Sequence, residues 1–305
     1  MHQTMQEQLA AKAPAHPDYS PGLEGVIAGE SAICQVDEGE AGLRYRGYAI
    51  GDLAGHSSFE EVAYLLLFGH LPTGTELEEF SDLLRRNRPL PEQVPNFVTS
   101  LRPGMHPMDV LRSGISLLGL NDPDAQDGSR AATLRKSVRL LAQIPQLIAD
   151  SYQVMAGRHP AKPDTEGSFA ENLLGLVAGR REGDVGAAMA QALNVSLILY
   201  AEHEFNASTF AARVTASTLT DLHGAITAAV ATLKGPLHGG ANEAVAAMLL
   251  EIGRPEHVEF WLRETLTQKR RVMGFGHRVL RQGDARSAII QRHAERLSDL
   301  CGNHT

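Results

Sequence analysis

Three histidines stand where glycine or the end of a helical pattern interrupts the chain. They are His203 in Tyr200-Ala-Glu-His-Glu-Phe-Asn206, His238 between Leu237 and Gly239-Gly240, and His277 after Gly274-Phe-Gly276. An imidazole in such a break can exchange a proton near neutral pH or donate to a carbonyl, and neighbouring glycines let a substrate approach the backbone. Each of the three, taken alone, could equally be satisfied by a backbone carbonyl or cap a helix. Three imidazoles on one zinc ion are a further alternative. The H-E-x-x-H signature is absent, however, because Ala207 stands four residues after His203.

The second constellation is cationic. Lys269, Arg270, Arg271, Arg278, Arg281 and Arg286 crowd an 18-residue window whose one acid is Asp284, in a chain of net charge −8. Guanidinium forks suit carboxylates and phosphates, and the amides of Val272-Met-Gly-Phe-Gly276 can meet the same ligand. A solvated helix face would carry similar charges, so the glycines tip the reading toward an anion site. Gly274-x-Gly276 lacks the third glycine and preceding strand of a dinucleotide fingerprint. Neither GxxxxGK[ST] nor G-x-S-x-G occurs. Histidines with arginines, and no nucleophile, fit chemistry on a dicarboxylate or a carbonyl whose developing negative charge is held by hydrogen bonds.

The elements that must hold these residues read as helices. Ser58-Phe-Glu-Glu61, Thr75-Glu-Leu-Glu78 and Ser168-Phe-Ala-Glu171 each fit a capping box ahead of an apolar run. Leu134, Val138 and Leu141 share one helical face, which Pro145 should kink or end. Helical pattern then covers Val185 to Thr232, Glu243 to Ile252, His257 to Thr267 and Ala285 to Leu300. Strand character is confined to Gly25–Ala28, Ala32–Val36 and Leu43–Arg46, with a hairpin turn in Asp37–Gly42. The expected class is all-α with a small N-terminal β hairpin. A loose arm (1–21), a large domain (22–222) and a smaller one (223–305) are expected, with the glycine break at 235–240 marking the change.

The 305 residues are 43% hydrophobic without an 18-residue apolar run, so no membrane-spanning helix is expected. The acidic balance argues against a nucleic-acid surface, and no metal is expected. Cys34 and Cys301 belong to no cluster, and residues 1–21 lack the apolar segment of a secretory signal, which makes the cytoplasm the expected compartment.

At these residues the chain resembles the citrate synthase family. Gly22-Leu-Glu-Gly-Val-Ile-Ala28, Tyr45-Arg-Gly-Tyr48, His106-Pro-Met-Asp-Val-Leu-Arg112, Ala201-Glu-His-Glu-Phe-Asn-Ala-Ser-Thr209, Gly235-Pro-Leu-His-Gly-Gly-Ala-Asn242 and Gly274-Phe-Gly-His-Arg-Val-Leu280 are similar to that family's landmarks, in its order. The resemblance implies a two-domain, all-α homodimer that condenses acetyl-CoA with oxaloacetate in the tricarboxylic acid cycle, with CoA as part of the substrate and no cofactor. It implies that His203 and Arg286 bind oxaloacetate, that His238 hydrogen-bonds the thioester oxygen as the enol forms, and that His277 polarises the keto group. Val272, Met273, Gly274, Phe275, Gly276 and Arg281 would contact CoA. Propionyl-CoA in place of acetyl-CoA, as in 2-methylcitrate synthase, is an open alternative.

The family normally continues for several further helices carrying an Asn-x-Asp-type segment, whose aspartate removes the methyl proton. After Gly276 the only aspartates here are Asp284 and Asp299, and neither matches it. The expectation from the resemblance is therefore a C-terminally incomplete chain of negligible activity, with a non-catalytic remnant as the third alternative.

Overall fold

The computed structural model describes residues 27–36, 42–160, 162, 166–179, 182–275 and 284–302. The chain divides into two units, Met1–Glu30 and Ser31–Thr305. Of the first, residues 27–30 are described; Ile27 and Ala28, expected in a strand, are exposed coil. The expected arm at 1–21 and the hairpin turn at 37–41 lie outside the described residues.

The second unit opens on a small antiparallel sheet of β1 (Cys34–Val36), β2 (Leu43–Tyr45) and β3 (Tyr48–Ala49) in the order β1-β2-β3. Cys34 faces Tyr45, and Tyr45 faces Tyr48. The third strand was not expected from sequence. It follows from Arg46-Gly47, where both residues have positive φ (49° and 91°), the turn geometry that matches the twist of paired strands.

Helices follow: α1 (Ile50–His56), α2 (Phe59–Phe68), α3 (Gly74–Arg86), α4 (Gln93–Thr99), α5 (Pro107–Leu120), α6 (Arg130–Met155), α7 (Phe169–Ala178) and α8 (Gly183–Tyr200). Then come α9 (Ala207–Ser217), α10 (Leu222–Leu233), α11 (Gly240–Ile252), a 3₁₀ turn (Pro255–His257), α12 (Val258–Thr267) and α13 (Ala285–Cys301). The capping boxes at Ser58–Glu61 and Ser168–Glu171 form as expected. The one expected at Thr75–Glu78 forms two residues earlier, at Thr73–Glu76. Thr73-Gly-Thr-Glu76 fits the same S/T-x-x-E pattern, and the Tyr64 hydroxyl donates to Glu76 Oε1 at 3.1 Å.

Pro145 does not end the helix, because α6 continues to Met155. A proline inside a helix costs about 3 kcal/mol. Leu140 and Leu147 on either side are buried, and each contributes about 1.5–3 kcal/mol, enough to offset it.

One apolar core joins the sheet to α1, α2, α3 and α8 around Tyr45, Leu65 and Ile198. A second joins α4, α5, α6 and α10 around Val94, Ile115 and Leu147. The loop between α5 and α6 is fastened electrostatically. Fully buried Lys136 donates to the carbonyls of Asp127 (2.7 Å) and Ala125 (3.3 Å), and Arg139 forks onto Asp122. No helix among the described residues is long and apolar enough to cross a membrane.

Candidate active site

His203 sits in the irregular segment between α8 and α9, half-buried. Tyr45, fully buried in β2, reaches the end of α8: its hydroxyl lies 3.0 Å from the Ile198 and Glu202 carbonyls and accepts from the Glu202 amide at 3.3 Å. The Glu202 carboxylate accepts the His203 N–H at 3.0 Å, and burial raises its pKa. Glu204 has a left-handed backbone (φ 55°), and its Oε1 accepts the Val36 N–H of β1 at 2.7 Å. Asn206 ends the segment as the N-cap of α9, with Oδ1 accepting the Thr209 amide at 2.9 Å.

His238 lies in the tight coil between α10 and α11. A Cβ on Gly239 would stand 2.7 Å from the Leu233 carbonyl oxygen, and one on Gly240 2.8 Å from that of Lys234, so this coil closes only with glycine. His238 Nε2 accepts the Ser208 amide hydrogen at 3.3 Å and lies 2.9 Å from Ser208 Oγ, whose hydroxyl also reaches Asn206 Oδ1 at 2.7 Å. A main-chain N–H has a set direction whereas a hydroxyl rotates. The amide therefore decides the tautomer: the lone pair is on Nε2 and the proton on Nδ1. Burial lowers the His238 pKa and favours this neutral form.

The coil is anchored at both flanks to α5. Lys234 Nζ contacts Asp109 Oδ2 at 2.6 Å, and Glu243 Oε2 lies 3.6 Å from His106 Nε2. His106 also caps α5, its Nδ1 accepting the Met108 amide at 3.2 Å.

Arg286 occupies the first turn of α13. Its Nε donates to Asp284 Oδ1 at 2.9 Å and its Nη2 to Oδ2 at 2.7 Å, with Nη1 3.5 Å from the Leu199 carbonyl. Burial by itself would raise the Asp284 pKa; the bonds from Arg286 outweigh it and the net shift is downward. The guanidinium stands 5.8 Å over the Tyr200 ring, and His203 is close enough to help hold the Asp284 carboxylate ionised. Asp284 takes one edge of the fork, and the Nη1 end is the part that can turn to a second carboxylate.

The structure thus brings His203 and Arg286 to one place and ties His238 to the same segment through Ser208. Val272 and Met273 are half-buried after α12, Gly274 (φ 85°) approaches Val245 of α11, and Phe275 is exposed. His277, Gly276 and Arg281 lie outside the described residues. Among the described residues, no three His, Cys, Asp or Glu side chains are grouped to hold a metal ion.

Sequence reasoning assigned no role to Tyr45, Glu202, Glu204, Asn206 or Ser208, although all five fall inside the quoted motifs. One signal was available: Asn206 directly before a new helical run is an N-cap pattern. The bonds from Tyr45 and Glu204, reaching across more than 150 residues of chain, have no local signature.

Residues 22–305 match the family model "Citrate synthase, C-terminal domain". The chain is 44% identical to 2-methylcitrate synthase of Mycobacterium tuberculosis over 93% of its own length and 71% of that protein. It is 42% identical to citrate synthase 2 of Bacillus subtilis over 92% of its length and 74% of that protein. Among solved structures it is similar to the ternary complex of carboxymethyl coenzyme A and oxaloacetate with citrate synthase from Thermoplasma acidophilum, with a TM-score of 0.85 at 33% identity, covering 93% of this chain and 74% of that one. The family model covers most of the chain and the relatives exceed 40% identity over more than 90% of it, so the chain belongs to the citrate synthase family.

Proposed function

We propose that the protein condenses acetyl-CoA with oxaloacetate and water, releasing citrate and CoA. The observation that carries this reading is the bond from the Ser208 amide to His238 Nε2, which leaves Nδ1 to carry the proton of a neutral imidazole, beside the segment that holds His203. Once a base takes the methyl proton of the thioester, negative charge gathers on the thioester oxygen, and a neutral N–H donor stabilises it there. The methyl carbon then bonds to the keto carbon of oxaloacetate, whose oxygen takes a proton, and water cleaves the thioester to free the thiol of CoA. His203 and Arg286 hold the carboxylates of oxaloacetate. His277 polarises the keto oxygen, and Val272 to Gly276 with Arg281 contact CoA. The same reading includes a homodimer in the cytoplasm, with the large and small domains meeting at His223.

The decisive test is binding. Oxaloacetate should raise the melting temperature by binding the folded state, and His203→Ala should remove the shift. No shift in the unmodified protein would overturn the reading. Relatives named for citrate and for 2-methylcitrate are about equally similar to the chain, so propionyl-CoA stands as the second reading. One methylene discriminates by only about 1–3 kcal/mol. Oxaloacetate-dependent thiol release from the two thioesters, compared at equal concentration, separates the two readings.

A further inference from the structure

Among the contacts that fasten the segment carrying His203, three hydrogen bonds fall at its start, middle and end. Tyr45 holds its start at Glu202, and the Asn206 cap holds its end on α9. The third acts in the middle, on the residue directly after the histidine. There the backbone is left-handed (φ 55°), a conformation glycine adopts freely and a β-carbon disfavours. Glutamate is therefore an unexpected choice at 204 on backbone grounds. Its side chain supplies a reason: Oε1 accepts the Val36 N–H at 2.7 Å, a charge-assisted bond to β1 across 168 residues of sequence. Rotation about φ of residue 204 swings His203 relative to α9, so a bond holding that residue sets where the imidazole points.

We infer that Glu204 is a positioning residue for His203, its carboxylate pinning the segment to β1 and thereby fixing the imidazole where oxaloacetate is held. This rests on the assignment of His203 to oxaloacetate. The sheet, otherwise a small appendage to a helical protein, is then the rigid base of the site. It carries both Val36, which holds Glu204, and Tyr45, which holds Glu202. Gly42, just before β2, lies against Ala285 beside Arg286: a Cβ at 42 would be 2.6 Å from that of Ala285.

Three variants separate the pin from the backbone shape. Glu204→Gln keeps an Oε1 acceptor, Glu204→Gly keeps the left-handed backbone but removes the acceptor, and Glu204→Met keeps the length without the acceptor. Calorimetry should show oxaloacetate affinity retained in E204Q and reduced about tenfold or more in E204G and E204M, the size expected for losing one charge-assisted bond. In the absence of ligand, the His203 imidazole resonance, assigned through His203→Gln, should keep its position in E204Q and shift or broaden in E204G and E204M. Wild-type affinity and an unmoved His203 resonance in E204G would show that the backbone shape suffices and would overturn the inference. So would an E204Q variant as impaired as E204G. If the unmodified protein does not bind oxaloacetate, the proposed function falls, while the ligand-free His203 resonance still decides the role of Glu204. If E204G does not fold, E204M carries the same comparison.

Discussion

The Ser208 amide donates to Nε2 of His238 at 3.3 Å, joining the first turn of α9 to the glycine coil before α11. That contact leaves the proton on Nδ1, and burial lowers the imidazole pKa. Protonation would place a hydrogen on Nε2 facing the amide that now donates to it. His238 should therefore stay neutral below the ordinary histidine value near 6.5 in a nitrogen-15 NMR titration. Because the folded pKa is depressed, the unfolded chain takes up the proton first as pH falls through 6.5. This site then withdraws stability on the acid side and is neutral above it. An imidazole titrating above 6.5 would show that the tautomer assignment is wrong.

Arg286→Ala should abolish most of the melting-temperature rise produced by oxaloacetate, since a ligand carboxylate would lose its fork. Equal shifts in the two proteins would remove Arg286 from the site. Without ligand, the variant also strands Asp284. The folded pKa of that carboxylate is depressed, so its stabilising pairing is present above about 3.8 and is lost as pH falls through the folded value. The difference in melting temperature between the two proteins should accordingly shrink in strong acid.

Asp150, buried in α6, is pushed up to about 6 by burial, although the Gln146 side chain donates to it at 2.7 Å and pulls the other way. The folded state thus holds a proton that the unfolded chain has already lost above about 4. The buried carboxylate costs stability at pH 7–8, and stability recovers as pH falls through 6. Asp150→Asn should stabilise the protein at pH 8 by about 1–3 kcal/mol, and the gain should fade near pH 4. Denaturant unfolding at the two pH values checks this, and an unchanged midpoint at pH 8 would contradict it.

Gly119 in α5 lets His223 of α10 approach so closely that an added Cβ would lie 2.8 Å from the His223 Cβ. His223 is 2% exposed and lies 3.5 Å from Asp122, so it has little room to retreat. Gly119→Ala should cost about 1–3 kcal/mol by overpacking, despite alanine's better helix propensity, as read from thermal unfolding. A stabilised variant would show that α10 can shift away.

Helix capping, the glycine break and the family landmarks were legible in the sequence because each is written within a few residues. Ser58 and Ser168 cap where their pattern says, and the coil at Gly239-Gly240 follows from glycines that admit a close backbone. Local pattern failed where a distant contact decided the outcome. Packing on both sides carried α6 past Pro145, whereas the cap of α3 in Thr73-Gly-Thr-Glu76 and the turn at Arg46-Gly47 were local signals that the reading passed over. The same division runs through the site. His203, His238 and Arg286 are identifiable from residue type and spacing, which limit what chemistry a segment can do. Arg286 finds its partner locally, in Asp284 two residues before it, whereas the aim of His203 and the tautomer of His238 come from Glu204 and Ser208. Hydrogen bonds are directional and short, so only the tertiary structure, which brings β1 to residue 204 and residue 208 to 238, decides them.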